Sequence, residues 1–221
     1  MDTLTHFRTL LRHPSIIRPY RPIILLSHMR ANTSLLGHLL ASNPSIEGYY
    51  EMHIGYYSWK SLLRQKLIYF AEHQPKTTGN FIFDNVLHDD HYVNLQLFSR
   101  GKVIFSLRSP EKAIKSIVSL YRKIEPEHDY VDSRHATSYY IKRLASLAEM
   151  ARTSPVDFMY LDADALREDT TETLTVLSQF IGLEQPIDEH YALQPLTGNK
   201  KVGDPSESIT AGTVKKITRN Y

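Results

Sequence analysis

The chain has 221 residues, of which 42% are hydrophobic, and a formal net charge of +2. This length suits one domain with a sizeable core and is too short for two. The small net charge disfavours a partner such as duplex nucleic acid, and the absence of cysteine excludes disulfides, thiolate metal sites and a cysteine nucleophile.

The first predicted elements are a strand, a polar turn and a helix. Ile23–Leu26, four consecutive apolar residues within 20–27, predict a buried parallel strand. Leucines at 35, 36, 39 and 40 then recur at helical spacing. This arrangement directs backbone N–H groups and a positive helix end at a phosphate. The turn lacks the glycines and the lysine of the Walker sequence, so an ordinary ATP site is not indicated.

Four further strands alternate with helices along the chain. We predict strands at 46–50, 80–84, 102–107 and 156–161, and helices at 56–73, 110–121, 136–152 and 171–181. The alternation predicts a single α/β domain with a central parallel β-sheet flanked by helices. Ligands then bind at the carboxyl ends of the strands, where three polar clusters lie. We divide residues 1–221 into an N-terminal arm (1–19), a core (20–185) and a C-terminal tail (186–221).

Two of the polar clusters suit phosphate groups. Arg30, Thr33 and Ser34 either bind a 5′-phosphate or form a solvated turn with a capped helix. Arg108 ends a strand, and Ser116 lies two turns into the following helix. This pair either holds a second phosphate from two sides or consists of a capping arginine and a polar helix face.

These segments resemble sulfotransferases that use 3′-phosphoadenosine 5′-phosphosulfate (PAPS). Arg30-Ala31-Asn32-Thr33-Ser34-Leu35-Leu36 is similar to their 5′-phosphosulfate loop, which in the carbohydrate and tyrosyl-protein branches reads Arg-Ser-Gly-Ser/Thr-Ser/Thr. Residues 103–110, with Ser116 downstream, are similar to the strand and helix that bind the 3′-phosphate. Residues 158–166 and 171–182 resemble the later strand and helix of the family. The likeness therefore runs from about residue 22 to 182.

The loop departs from the family pattern at two positions. Ala31 removes a hydroxyl, and Asn32 stands where the family has glycine. Asparagine tolerates the left-handed backbone better than other non-glycine residues, so the loop geometry can survive. The resemblance implies a P-loop nucleotide-kinase-like fold, PAPS as co-substrate without a metal, and nucleotide binding by Arg30, Ala31, Asn32, Thr33, Ser34, Arg108, Ser116, and Lys200 or Lys201. The alternative for those two lysines is a solvated basic tail.

Transfer of a sulfuryl group requires charge stabilisation on the leaving oxygen and a base for the acceptor hydroxyl. We assign the first role to Arg30. Glu51 matches the position of the catalytic glutamate in the tyrosyl-protein branch, and its alternative is a salt-bridged surface carboxylate. His88 follows the third strand, where other branches have a catalytic histidine, and His53 is a third choice. We interpret 88–91 as a polar loop and not as a metal site.

The sequence thus predicts a sulfotransferase that moves a sulfuryl group from PAPS to an acceptor hydroxyl. A small-molecule kinase and a non-catalytic nucleotide-binding module are the alternatives. The acceptor stays open between carbohydrate, lipid, natural product and peptide tyrosine. Aromatic residues on both sides of Glu51 form either a wall for such an acceptor or part of the core: Tyr49, Tyr50, Tyr56, Tyr57 and Trp59. Without a signal peptide or a span of about 18 apolar residues, we expect a cytoplasmic protein.

Overall fold

A computed structural model describes residues 3–194 and 209–217. Its α-helices are α1 (Thr3–Arg12), α2 (Thr33–Ser42), α3 (Trp59–Glu72), α4 (Pro110–Ile124), α5 (Ser133–Arg152), α6 (Ala165–Glu168) and α7 (Thr170–Ile181). The strands are β1 (Arg21–Leu26), β2 (Ile46–Glu47), β3 (Phe81–Val86), β4 (Lys102–Leu107) and β5 (Phe158–Asp162). Short 3₁₀ helices occupy Pro14–Ile17, Leu95–Phe98, Asp129–Val131 and Ile209–Ala211.

The five strands form one parallel sheet in the order β2-β3-β1-β4-β5. The predicted fold class, one α/β domain with a central parallel sheet between helices, is therefore confirmed. β1 lies at the centre, and its apolar run is fully buried because helices cover both faces. Ile23 and Leu25 pack with leucines of α2 and α7, while Ile24 and Leu26 pack towards α3 and α5.

Only β4 has its predicted bounds, and the differences at β2 and β3 matter for the arrangement of the strand ends. β2 ends after two residues because Gly48 adopts a left-handed backbone (φ 85°) and lies against the carbonyl of Phe83. β3 continues two residues beyond Asp84, since Asn85 and Val86 pair in register with Leu25 and Leu26. These two changes bring the segment after β2 to the carboxyl end of β3.

Both ends of the chain pack on the core where the structure describes them. The N-terminal arm contains α1, which packs against α3, and Ile16, which is fully buried. Residues 209–217 return to the core: the N–H of Tyr191 donates to Gly212 O (2.9 Å), and that of Ile217 donates to Arg167 O (2.9 Å). Lys200 and Lys201 lie outside the described residues. Among the helices of 3–194 and 209–217, none combines the length and apolar character needed to cross a bilayer.

Candidate active site

The turn between β1 and α2 contains two left-handed residues, Arg30 (φ 65°) and Asn32 (φ 55°). Asn32 stands at the N-cap position of α2, but its side chain makes no capping hydrogen bond. Instead, its Nδ2 donates to Ala163 O at 2.7 Å, which joins the turn to the end of β5. The backbone N–H groups of the first turn of α2 therefore donate no hydrogen bond to the Asn32 side chain. A bound anion can accept these hydrogen bonds instead.

A cavity of about 430 Å³ opens beside this turn, between α2, α4 and the C-terminal segment. The sequence-predicted residues Arg30, Asn32, Arg108 and Ser116 all line it, and Arg30 Nε donates to Ser116 Oγ at 3.0 Å. None of its described lining residues is a carboxylate. Six of them are cations: Arg30, Arg108, Lys112, Lys115, Arg167 and Lys215. The structure thus brings the two predicted phosphate clusters together at one basic cavity.

Arg108 is held in place by four hydrogen bonds. Its Nε donates to Asp164 Oδ1 (2.9 Å), and its Nη1 donates to Arg30 O (3.1 Å). Its backbone N–H donates to His28 Nε2 (3.1 Å), and its carbonyl accepts from Tyr140 Oη (2.7 Å).

Because Nε2 of His28 accepts this hydrogen bond, Nδ1 of His28 carries the proton and donates to Met29 O (2.9 Å). Burial lowers the pKa of His28, which favours this neutral form.

The cavity carries more positive charge than its surroundings neutralise. Lys112 forms ion pairs with Asp164 and Glu168, each at 3.1 Å. Lys115 and Lys215 have no ion-pair partner within 3–194 and 209–217. Burial and, second, the charge of Arg108 lower the pKa of Arg167. Such an arrangement favours a ligand with several negative charges.

Not every predicted nucleotide ligand lines the cavity. Ala31 is buried, and Thr33 and Ser34 form the first turn of α2, with the side chain of Thr33 also buried. Contacts of the Thr33 and Ser34 hydroxyls with a phosphate therefore stay a prediction.

Two further cations were missed by the sequence reasoning. Arg167 comes from α6, and Lys215 comes from the C-terminal segment. Arg167 Nε donates to Lys215 O at 3.0 Å, so the two residues hold each other at the cavity. The sequence offered one signal for Arg167: it is a basic residue that directly follows the 158–166 segment.

Glu51 lies between β2 and the end of β3. Its Oε1 accepts from the N–H of Leu87 at 3.2 Å, and its side chain is only 11% exposed. Burial raises the pKa of Glu51, while the Leu87 hydrogen bond and the charges of His91 and Arg143 act in the opposite direction. The imidazole of His53 lies slightly farther away, with its Nδ1 3.9 Å from Oε1. Glu51 is therefore a buried carboxylate and not a surface one.

His88 lies one residue beyond the Leu87 amide and lines a second cavity of about 320 Å³. Burial and, second, the charge of Arg143 lower the pKa of His88. A neutral imidazole is able to accept a proton, so the lowered pKa of His88 suits the role of a base, and both predicted bases lie at the end of β3. The cavity wall consists of His88, Asp89, Asp90, Asp129, Tyr130, His135, Ser138, Tyr139 and Lys142.

Helix α5 supplies two side chains that connect the regions. Tyr139 Oη accepts from the N–H of Met29 (3.0 Å) and donates to the carbonyl of Leu87 (3.0 Å), so it joins the Arg30 turn to the residue whose N–H holds Glu51. Arg143 donates to Ser27 O (2.9 Å) and Val86 O (2.8 Å), and it pairs with Asp89. Sequence reasoning missed Arg143, although its helical spacing from Tyr140 and Leu147 places it on the buried face.

The structure describes no arrangement of three or more His, Asp or Glu side chains suited to a metal ion within 3–194 and 209–217. In the 88–91 segment, Asp89 instead pairs with the guanidinium of Arg143.

No protein-family model matches the chain, and no curated protein matches it. Solved structures do match. The sulfotransferase domain from the Synechococcus PCC 7002 olefin synthase is 17% identical, with a TM-score of 0.56 over 89% of this chain and 85% of that one. Sulfotransferase STF9 from Mycobacterium avium is 13% identical, with a TM-score of 0.54 over 89% of this chain and 70% of that one. The chain therefore has the P-loop-like fold of sulfotransferase domains.

Proposed function

We propose that this protein is a sulfotransferase that moves the sulfuryl group of PAPS to an acceptor hydroxyl. One observation carries the proposal: a cavity with six cations opens at the start of α2, and Tyr139 connects its turn to Leu87, whose N–H holds the largely buried Glu51. PAPS carries phosphate at both ends of its ribose, which suits two cationic clusters. The cavity volume of about 430 Å³ is also within the usual range for small-molecule sites.

The two clusters have separate roles in this proposal. The 5′-phosphosulfate lies on the first-turn amides of α2 with Arg30 beside it. The 3′-phosphate is held by Arg108 and Ser116, with the remaining cations of the cavity around it. Since Arg30 donates to Ser116 in the structure, the residues that bind the two ends of the nucleotide are already in contact.

The reaction is an in-line transfer. Glu51 takes the proton of the acceptor hydroxyl, the acceptor oxygen forms a bond to sulfur, and the bond from sulfur to the phosphate oxygen breaks. Arg30 and the helix end stabilise the charge that develops on that oxygen. Burial raises the pKa of Glu51 towards the working range of a general base. The position of Glu51 is the residue-level support for the carbohydrate and tyrosyl-protein branch of the family.

Nucleotide preference tests the proposal. We expect 3′,5′-adenosine bisphosphate, the product nucleotide, to raise the thermal midpoint of unfolding, with a stabilisation of about 2.7 kcal/mol at a hundredfold excess over Kd. Arg108→Ala should weaken this binding at least tenfold, because it removes a charged ligand of the phosphate. Lys60→Ala is the matched control, since Lys60 is an exposed cation of α3 outside the cavity.

ATP with magnesium is the competing ligand. A shift with ATP and magnesium but none with the bisphosphate would contradict the sulfotransferase and favour a kinase. A shift with the bisphosphate, without release of that product from PAPS on any hydroxyl acceptor, would leave only a nucleotide-binding module.

A further inference from the structure

Two segments next to Glu51 run side by side and pair their rings. Residues 53–57 and 91–93 are joined by a parallel bridge between Tyr56 and Val93, with the N–H of Tyr56 donating to Tyr92 O at 2.7 Å. His53 faces His91, with ring centroids 6.0 Å apart. Tyr57 stacks on Tyr92 at 5.3 Å and an interplanar angle of 24°. We refer to His53, His91, Tyr57 and Tyr92 as the ring strip.

The ring strip is exposed and yet firmly held. Tyr57 is 64% exposed and Tyr92 is 56% exposed, which is unusual for two large aromatic side chains in contact. The Tyr57 ring lies so close to Gly55 that a Cβ there would stand 2.5 Å from its Cε2. Behind the strip, Tyr56 is fully buried, and its hydroxyl donates to Asp84. The rings are therefore set in place before any ligand binds.

One end of the ring strip lies at the proposed base. His53 Nδ1 is 3.9 Å from Glu51 Oε1, and the His53 side chain is 60% exposed. Tyr57 lies four positions after His53, and extended backbone covers at most about 14 Å over four positions. A molecule that covers the strip from Tyr57 to His53 therefore brings its end to Glu51.

We propose that the ring strip binds the acceptor and that this acceptor is an oligosaccharide whose terminal hydroxyl meets Glu51. The inference rests on the proposed function. The strip offers flat aromatic faces, with hydroxyl and imidazole groups at their edges. A sugar unit has a C–H face that packs on an aromatic ring and hydroxyls that bond to such edges. A small phenol would instead require a closed pocket that covers most of its surface, and the strip is open on one side.

Trp59 provides the measurement. It is the single tryptophan of the chain, is 65% exposed and lies two residues after Tyr57. The full chain is titrated with cellotriose, maltotriose and N,N′,N″-triacetylchitotriose, and with p-cresol as the phenolic probe. We expect a saturable change in Trp59 fluorescence with at least one trisaccharide.

Two variants change the strip in different ways. Tyr92→Ala removes a ring, whereas Gly55→Ala keeps all four rings and displaces Tyr57 from its position. Each should raise the Kd of the trisaccharide at least tenfold. Tyr160→Ala is the matched control, because Tyr160 is 59% exposed but belongs to β5 at the edge of the sheet. Its Kd should stay within twofold of the wild type.

Three results would overturn the inference: p-cresol binding without trisaccharide binding, no binding of any probe, or trisaccharide binding that neither strip variant weakens. The thermal shift with 3′,5′-adenosine bisphosphate is measured on every variant. It shows that each variant is folded, and it reports the proposed function separately, since the strip contributes nothing to the basic cavity. A protein that responds to the bisphosphate but to no trisaccharide would refute the acceptor alone.

Discussion

At the scale of single residues, the environment of Glu51 sets the expected pH dependence. The ionised carboxylate is the form that accepts a proton, and burial raises the pKa of this group. The rate should therefore increase with pH through a value above that of an ordinary glutamate. Glu51→Gln keeps the shape but removes the base, so turnover should fall about 10²- to 10⁴-fold and lose this rise.

His88→Gln is the matched variant for that experiment. Both substitutions should leave the thermal shift with the bisphosphate unchanged, since neither residue lines the basic cavity. Near-normal turnover of Glu51→Gln, together with an inactive His88→Gln, would transfer the role of base to His88.

Residue identity predicted part of the turn that begins this site. Asn32 was expected to tolerate a left-handed backbone, and it has φ 55°. The left-handed Arg30 was not expected, because arginine has no intrinsic preference for that region. Arg167 and Lys215 reach the cavity through contacts between α6 and the C-terminal segment, which shows no periodicity. Such contacts are properties of the packing and leave no local pattern in the sequence.

At the scale of elements, α5 braces the two central strands through Arg143. The side chain is buried, and it bonds to carbonyls that follow β1 and end β3 as well as to Asp89. Lysine retains the charge but cannot donate in three fixed directions. Arg143→Lys should therefore lower the free energy of unfolding by about 2 kcal/mol, measured by urea denaturation.

Arg152→Lys is the control on the same helix. Arg152 is 71% exposed in its side chain and pairs with Glu149 at the surface, so its replacement should leave the free energy of unfolding nearly unchanged. Equal losses in the two variants would show that Arg143 does not brace the strands.

The elements themselves were largely predictable, and their contacts were not. Continuous apolar runs predicted β1, β3 and β4, since strands buried on both faces have no polar side to interrupt them. The aromatic residues around Glu51 had two open interpretations, part of the core or a wall for an acceptor, and burial decides only the first. Tyr49 and Tyr56 are core residues, whereas Tyr57 and Trp59 are exposed. Tyr92 was missed because its partner Tyr57 lies far away in the sequence.

At the scale of the whole molecule, charges are distributed unevenly although the net charge is only +2. The cavity beside α2 carries six cations, whereas the cavity beside His88 includes Asp89, Asp90 and Asp129. The first cavity opens at the carboxyl ends of β1 and β4, and the second opens beyond the carboxyl end of β3, where Tyr139 forms part of its wall. The proposed donor site is thus basic, and the region beside the proposed acceptor site is not.

The carboxylate buried most deeply in this region makes the stability of the fold depend on pH. Asp84 is fully buried beneath the ring strip, and burial raises its pKa to about 7. In the unfolded chain its value is 3.8. Between these values the folded state holds a proton that the unfolded state has lost, so the contribution of Asp84 is fully present below the lower value and decreases as pH rises through the higher one.

We therefore expect the free energy of unfolding of the wild type, measured by urea denaturation, to decrease relative to Asp84→Asn as pH rises from 5 to 7. The slope is at most about 1.4 kcal/mol per pH unit, and above pH 8 the two curves should run parallel. Burial also raises the pKa of Glu47 and Glu51, but both residues remain in the variant, so the difference reports Asp84 together with its charge coupling to Glu51. The control is Asp157→Asn at an exposed position, whose free energy of unfolding should run parallel to that of the wild type throughout.

One outcome would contradict the prediction: a difference in the free energy of unfolding between wild type and Asp84→Asn that stays constant from pH 5 to 8. It would show that Asp84 is ionised across this range, because its hydrogen bonds from Tyr56 and Met52 outweigh its burial.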